Sequence, residues 1–233
     1  MCGRFTLHHD KEEIIERFGV QETLFELTPR FNIAPTQQVA GICQEAKRML
    51  TAYKWGLVPS WANDPQIGSK MINARAETLA EKPSFKKSLL TKRCLIPSDG
   101  FYEWKQEGKT KTPVYVRMKN LSLFAFAGLW EEWKSQDNTV LRTCTIITVE
   151  PNALIRNIHH RMAVILPREL ESIWLDPSLK DLDKLLGMLR PYSADEMELF
   201  AVNKTVNSTS FDNPECIKPL SEEQKLPIQE TLW

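Results

Sequence analysis

The 233-residue chain is 42% hydrophobic and balances 30 basic against 30 acidic residues, so it can bury a sizeable core in one domain, and its net charge neither draws in nor repels a polyanion. Its five cysteines (Cys2, Cys43, Cys94, Cys144, Cys216) are odd in number and widely spaced with no CxxC pair, which argues against a disulfide framework and a zinc cluster. No run approaches the ~20 apolar residues of a membrane span, and no apolar signal core follows Met1; a soluble, cytoplasmic monomer without metal or cofactor is expected, and any nucleic-acid site must be local.

From the N-terminus, a short extended segment precedes a helix over 10–18, where Asp10 and Glu13 have capping-box spacing and Ile14, Ile15 and Phe18 supply an apolar face. Runs rich in β-branched and aromatic residues then predict strands at 38–43, 48–56, 93–97, 101–105, 112–118, 123–130, 140–149 and 162–166. Helical spacing recurs after Pro83 (Phe85, Leu89, Leu90), around Asn152 to Ile158, after Pro167, and from about 178 to 189 through Leu179, Leu182, Leu185, Leu186 and Leu189. Strands and helices do not alternate regularly, which disfavours a doubly wound parallel sheet. The pattern predicts an α+β fold, a single domain over 1–233 on a curved, largely antiparallel, barrel-like sheet with peripheral helices. The last ~20 residues, polar and proline-containing, read as a loose tail.

The chain starts Met1-Cys2-Gly3-Arg4, and removal of the initiator methionine would leave Cys2 with a free α-amine beside its thiol. Such a 1,2-aminothiol condenses with an aldehyde to an imine, which the sulfur closes into a thiazolidine, both nucleophiles acting at high effective concentration. An amine titrating near ~8 and a thiol near ~8.5 are each partly reactive at neutral pH. For a bare Met-Cys start, an ordinary small buried cysteine is the commoner reading.

Context comes from five further motifs: Phe31-Asn32-Ile33-Ala34-Pro35-Thr36, Trp55-Gly56-Leu57-Val58-Pro59-Ser60-Trp61, Asn73-Ala74-Arg75-Ala76-Glu77-Thr78, Pro97-Ser98-Asp99-Gly100-Phe101-Tyr102-Glu103-Trp104 and His159-His160-Arg161-Met162. Together with Cys2-Gly3-Arg4, and in this order, they resemble the SOS-response-associated peptidase family, also called abasic-site processing proteins. The resemblance runs from residue 2 to about 167, with C-terminal helices and the polar tail making up 168–233. It implies that Cys2 is the nucleophile and that Asn73, Glu103 and His159 complete the site, acting on abasic sites in single-stranded DNA during the DNA damage response, on the nucleoid when bound. These types suit the chemistry: a carboxylate can move the ammonium proton to the carbinolamine, and a histidine can protonate the sugar ring oxygen and favour the open aldehyde. Alone, Asn73 could equally be a turn residue, Glu103 the solvated face of a strand, and His160 could replace His159; the family's HxRM register selects His159.

An abasic nucleotide offers no base to read, so cations and stacking surfaces should make the DNA contacts. Arg4, Arg75 and Arg161 each lie within one or two residues of a predicted catalytic group, where a flanking phosphate would sit. By resemblance, Trp104 and Pro35 form an apolar wedge against neighbouring bases, and Thr148 lines the pocket. Trp130, Trp133 and Trp174 are read as core. The basic stretch of Lys82, Lys86, Lys87, Lys92 and Arg93 reads first as a solvated face, and His8 and His9 have no identifiable partner.

Two other readings begin from the same cysteine. A thiol peptidase would pair Cys2 with His159, but it needs an oxyanion hole that an aldehyde-trapping cysteine does not. An N-terminal-nucleophile glutamine amidotransferase also begins Met-Cys-Gly, yet this chain lacks the Asn-Gly pair of such sites.

Overall fold

A computed structural model describes residues 2–221 of the chain. The strands are β1 (Phe5–Leu7), β2 (Glu22–Thr23), β3 (Arg30–Ile33), β4 (Gln38–Gln44), β5 (Arg48–Trp55), β6 (Asn73–Arg75), β7 (Arg93–Ser98), β8 (Gly100–Glu107), β9 (Thr110–Met118), β10 (Phe124–Lys134), β11 (Val140–Val149), β12 (Met162–Ala163) and β13 (Met197–Ala201). The helices are α1 (Lys11–Phe18), α2 (Pro83–Thr91), α3 (Arg168–Leu175) and α4 (Leu182–Gly187).

Five strands close a barrel. β5, β4, β7, β10 and β11 pair in succession, all antiparallel, and β11 returns to β5 in parallel through Thr143 opposite Lys54. β6 joins β11 and β2 joins β5, both parallel, and β12 joins β11 antiparallel. The sheet is thus curved and closed, as its short apolar strands suggest, but mixed. Barrel strands such as β7 are buried on both faces, because side chains fill the interior while α2 and α3 pack outside; polar–apolar alternation is accordingly weak. A second, wholly antiparallel sheet has the order β13-β9-β8-β1-β3. The chain passes from barrel to second sheet between β7 and β8, with only Asp99 intervening.

Several sequence expectations change. α1 ends where predicted, on Gly19 in the left-handed region (φ 61°), but the Asp10 side chain makes no capping bond; buried Ile14 and Phe18 anchor the helix instead. Residues 152–158 form consecutive turns around Asn152, whose side chain accepts from Ile155 N–H and donates to the Tyr192 carbonyl, and no regular helix forms. The 162–166 strand pairs with β11 for two residues only, then crosses to β10, where Ala127 N–H meets the Val164 carbonyl. Of the 178–189 helix, only α4 forms, because Asp176 folds the preceding segment into a turn and Asp181 caps the helix start. The first part of the expected loose tail is held to the body: Cys216 is buried, and Leu220 N–H bonds the Ala201 carbonyl; the rest of that expectation, on residues 222–233, lies outside the described residues.

The basic stretch also splits. Lys82, Lys86 and Lys87 are exposed, Lys92 pairs with Glu131, and buried Arg93 donates to the carbonyls of Leu89, Trp174 and Leu179. Trp130 and Trp174 are core, while half-buried Trp133 donates to the Ala62 carbonyl.

Candidate functional site

The site lies where the N-terminus of the second sheet meets the edge of the barrel. In the β1–β8 pair, Phe5 faces Phe101 and Thr6 faces Gly100. Continued outward, that antiparallel register sets Arg4 against Tyr102, whose N–H donates to the Arg4 carbonyl at 2.9 Å, and Gly3 against Glu103. Cys2 therefore arrives alongside the Glu103 end of β8. From the barrel, Asn73 at the start of β6 donates its Nδ2 to the Cys2 carbonyl at 2.8 Å. Residues 71 positions apart are joined across the two sheets.

Burial controls the electrostatics here. The Cys2 side chain is 0% exposed, and burial pushes its thiol far above the ordinary value, with the Glu103 charge pushing the same way and the Arg4 backbone N–H opposing. The sulfur is therefore held as a neutral thiol, unlike the partly ionised group expected from its unperturbed value. Glu103, 2% exposed, is raised by burial to about 7, so at neutral pH it both accepts and donates a proton readily. Its inward position contradicts the alternative of a solvated strand face. The Asn73 Oδ1 is buried and has no hydrogen-bond partner among the described residues, which leaves an acceptor available next to Cys2.

A second group joins this one through β11. In the parallel β6–β11 pair Arg75 faces Thr148, and on the other side of β11 Thr148 faces Ala163 of β12. Buried Thr148 turns its hydroxyl to the Ala74 carbonyl, while its own carbonyl accepts from Arg161 at 2.6 Å. Arg161 also forms a bidentate pair with Glu77, at 2.7 and 2.8 Å. His159 sits behind it: Nδ1 lies 3.0 Å from the Arg161 N–H and 3.1 Å from the Arg161 carbonyl, so the ring can accept or donate at this nitrogen according to its tautomer. Burial and neighbouring His160 lower the pKa of His159, so the ring is neutral at pH 7. Arg75 is exposed at the end of β6.

The expected wedge residues occupy separate elements, a strand and a turn. Half-buried Trp104, next to Glu103 on β8, donates Nε1 to Asn207 Oδ1 at 2.8 Å, with Arg4 over its ring. Pro35 lies in the turn after β3, before Thr36, which adopts a positive φ of 70°. Sequence reasoning passed over Trp61. It is 61% exposed, borders the 65–70 turn and lines a cavity sharing Gln66 and Ser69 with the one beside Thr36. The signal was the contrast within its own motif, since Trp55 is buried and bonded to the Ile72 carbonyl. The unassigned histidines have a partner in buried Asp99, which accepts from the N–H groups of His8 and His9 and from the Thr6 hydroxyl. These donors saturate the carboxylate and make it the anchor of the β1–α1 turn.

This arrangement can place a primary amine and a thiol next to a proton-exchanging carboxylate, with a neutral imidazole and cations nearby. The family model described as SOS response associated peptidase (SRAP) matches residues 1–209. The chain belongs to the SRAP family. Its SRAP match extends past the motif-bearing 2–167 through the C-terminal helices and β13. Among curated SRAP relatives, abasic site processing protein YoqW of Bacillus subtilis is 50% identical over 222 residues, covering 94% of this chain and 99% of that one. Abasic site processing protein HMCES of Gallus gallus is 34% identical over 200 residues, 75% of this chain and 59% of that one. A crystal structure of a Bacteroides thetaiotaomicron protein superposes with a TM-score of 0.86 at 27% identity, over 94% of this chain and 100% of that one. The SRAP fold is thus common to chains of widely different sequence.

Proposed function

We propose that this protein recognises abasic sites in single-stranded DNA and, once Met1 is removed, links covalently to them through Cys2. The observation that carries the reading is the bond from Asn73 Nδ2 to the Cys2 carbonyl, which holds the N-terminal residue beside a carboxyl group with a pKa of about 7. The names of the family relatives support the same target.

In the open-chain abasic sugar the Cys2 amine attacks the C1 aldehyde carbon, and the ammonium proton passes to Glu103. Glu103 returns it to the carbinolamine hydroxyl, which leaves as water, and an imine remains. The sulfur adds to the imine carbon while the thiol proton ends on the ring nitrogen, closing the thiazolidine with net release of one water. The neutral thiol suits this order: sulfur reacts second, against an electrophile already attached to its own residue. The neutral His159 imidazole takes the C1 hydroxyl proton and gives one to the ring oxygen, which opens the sugar with no net proton change, and Asn73 Oδ1 accepts from the amine or a sugar hydroxyl. Arg75 is the exposed cation for a flanking phosphate, Arg161 meets one by exchanging Glu77 for it, and Thr148 lines the wall between them. Trp104, Pro35 and the exposed Trp61 offer apolar surface to adjacent bases.

The protein is incubated with single-stranded DNA carrying a uracil-derived abasic site, and the product is read on a denaturing gel and by intact mass. A band of protein lacking Met1 plus DNA minus one water is expected, absent with Cys2→Ala. A Cys2→Ala band of equal intensity would move the link to another nucleophile, and no wild-type band would overturn the reading in favour of a non-covalent binder or, alongside cleavage of peptide substrates, a thiol peptidase.

A further inference from the structure

The geometry points to Arg4 as a positioning residue for Cys2, locked in place by Asn32 and the 204–212 segment, and not as a ligand of the DNA backbone. This rests on the proposed cross-linking.

Arg4 lies between the nucleophile and β1. Its Nη1 is 2.6 Å from Asn32 Oδ1 and 2.8 Å from the Val206 carbonyl, which takes both of that nitrogen's hydrogens. Its Nε is buried with no partner among the described residues. A guanidinium grips phosphate through a pair of adjacent N–H groups on one edge. With Nη1 occupied and Nε enclosed, neither edge presents such a pair.

The receptor for Arg4 is built deep in the protein. Asn32 is 0% exposed, and its Nδ2 lies 3.1, 2.9 and 2.6 Å from the carbonyls of Val206, Ser208 and Phe211. The same stretch is tied on either side, by Asp212 to Phe31 N–H and the Arg30 guanidinium on β3, and by Asn207 to Trp104 on β8. A strap from the C-terminal part of the chain thus crosses three neighbouring strands and closes on the Arg4 side chain. Before the Tyr102 N–H bond to the Arg4 carbonyl, the chain makes no further backbone ladder bond among the described residues, and Cys2 is held by the Asn73 bond and the Arg4 N–H. Fixing the Arg4 side chain therefore limits the excursions of the reacting amine. Releasing it lowers the fraction of time that the amine stands at attack distance and leaves phosphate contacts unchanged.

Single-turnover cross-linking is measured across DNA concentrations for Arg4→Gln, Arg4→Lys and Asn32→Ser, and non-covalent binding across salt for the same changes on a Cys2→Ala background. Arg4→Gln and Asn32→Ser should each lower the saturating rate about tenfold without moving the half-saturating DNA concentration or the slope of log affinity against log salt; Arg4→Lys should recover part of the rate. They should also speed reaction of Cys2 with a small disulfide reagent, an effect that losing a phosphate contact would not produce. A salt slope shallower by about one with an unchanged saturating rate places Arg4 on DNA and overturns the inference, as does unaltered thiol reactivity in both Arg4→Gln and Asn32→Ser. Melting curves separate misfolding from positioning, and Arg4→Lys decides if Asn32→Ser fails to fold. If wild-type protein gives no denaturation-resistant band, the function proposed above fails, and thiol reactivity still tests the role of Arg4.

Discussion

The carboxyl of Glu103 has one proton affinity in the folded site and another in the unfolded chain, and both activity and stability should report it. Burial lifts it from an ordinary 4.5 to about 7, a difference worth at most about 3 kcal/mol in favour of the protonated form. The folded protein thus binds this proton more tightly than the unfolded chain. Stability from this group is full below about pH 4.5 and falls as the pH rises through about 7. Glu103→Gln removes the cost of a buried charge, so at pH 8 the variant should melt higher, by a few to about 10 °C for a chain of this size, with little change near pH 4.5. Its cross-linking should move the other way. Amine and carboxyl must share one proton for transfer between them, so the wild-type single-turnover rate should rise through about pH 7 and decline above the amine's ~8. E103Q should be slower by ~10²-fold, with a rate that climbs with the free amine and no descending limb. The experiment is a pH series of single-turnover gels beside a pH series of melting curves. An E103Q rate within about threefold of wild type on the same two-limbed profile, or equal melting temperatures at pH 8, would refute the assignment of a buried proton carrier.

Asn73→Ala removes a side-chain bond between the sheets at the nucleophile and should slow cross-linking by roughly tenfold or more, with the melting temperature shifted only by the loss of a single hydrogen bond, about 1 kcal/mol. Arg75→Ala should weaken DNA binding and make the salt slope shallower by about one, because Arg75 is exposed. Arg161→Ala also frees Glu77 from its bidentate pair, so it should lower the melting temperature where Arg75→Ala does not. Gly56→Ala should destabilise the fold by roughly 2–4 kcal/mol, read as a loss of melting temperature: φ is 133° there, and a Cβ would stand 2.5 Å from the Gly68 carbonyl oxygen.

Much of the architecture could be read from local sequence. Apolar runs located most of the strands because each is short, buried and rich in β-branched or aromatic side chains. The helix after residue 10 and those after Pro83 and Pro167 announced themselves by turn chemistry and apolar spacing. Local patterns failed where a distant group competes for the backbone. Asn152 holds 152–158 in turns by reaching Tyr192, and the 162–166 strand splits its pairing between β11 and β10. A stretch of Lys and Arg likewise cannot disclose that Arg93 is buried against carbonyls from α3 and beyond.

For the site, the chain by itself determined which chemical groups are available: a cysteine that becomes terminal on losing Met1, and motifs supplying an amide, a carboxylate, imidazoles and guanidiniums. Sequence order cannot set the environment that gives those groups their properties. That Glu103 titrates near neutrality, that the Cys2 sulfur stays protonated, and that Arg4 turns inward to Asn32 all follow from two sheets closing on one another. Desolvation and hydrogen-bond partnership arise only between segments that are far apart along the chain.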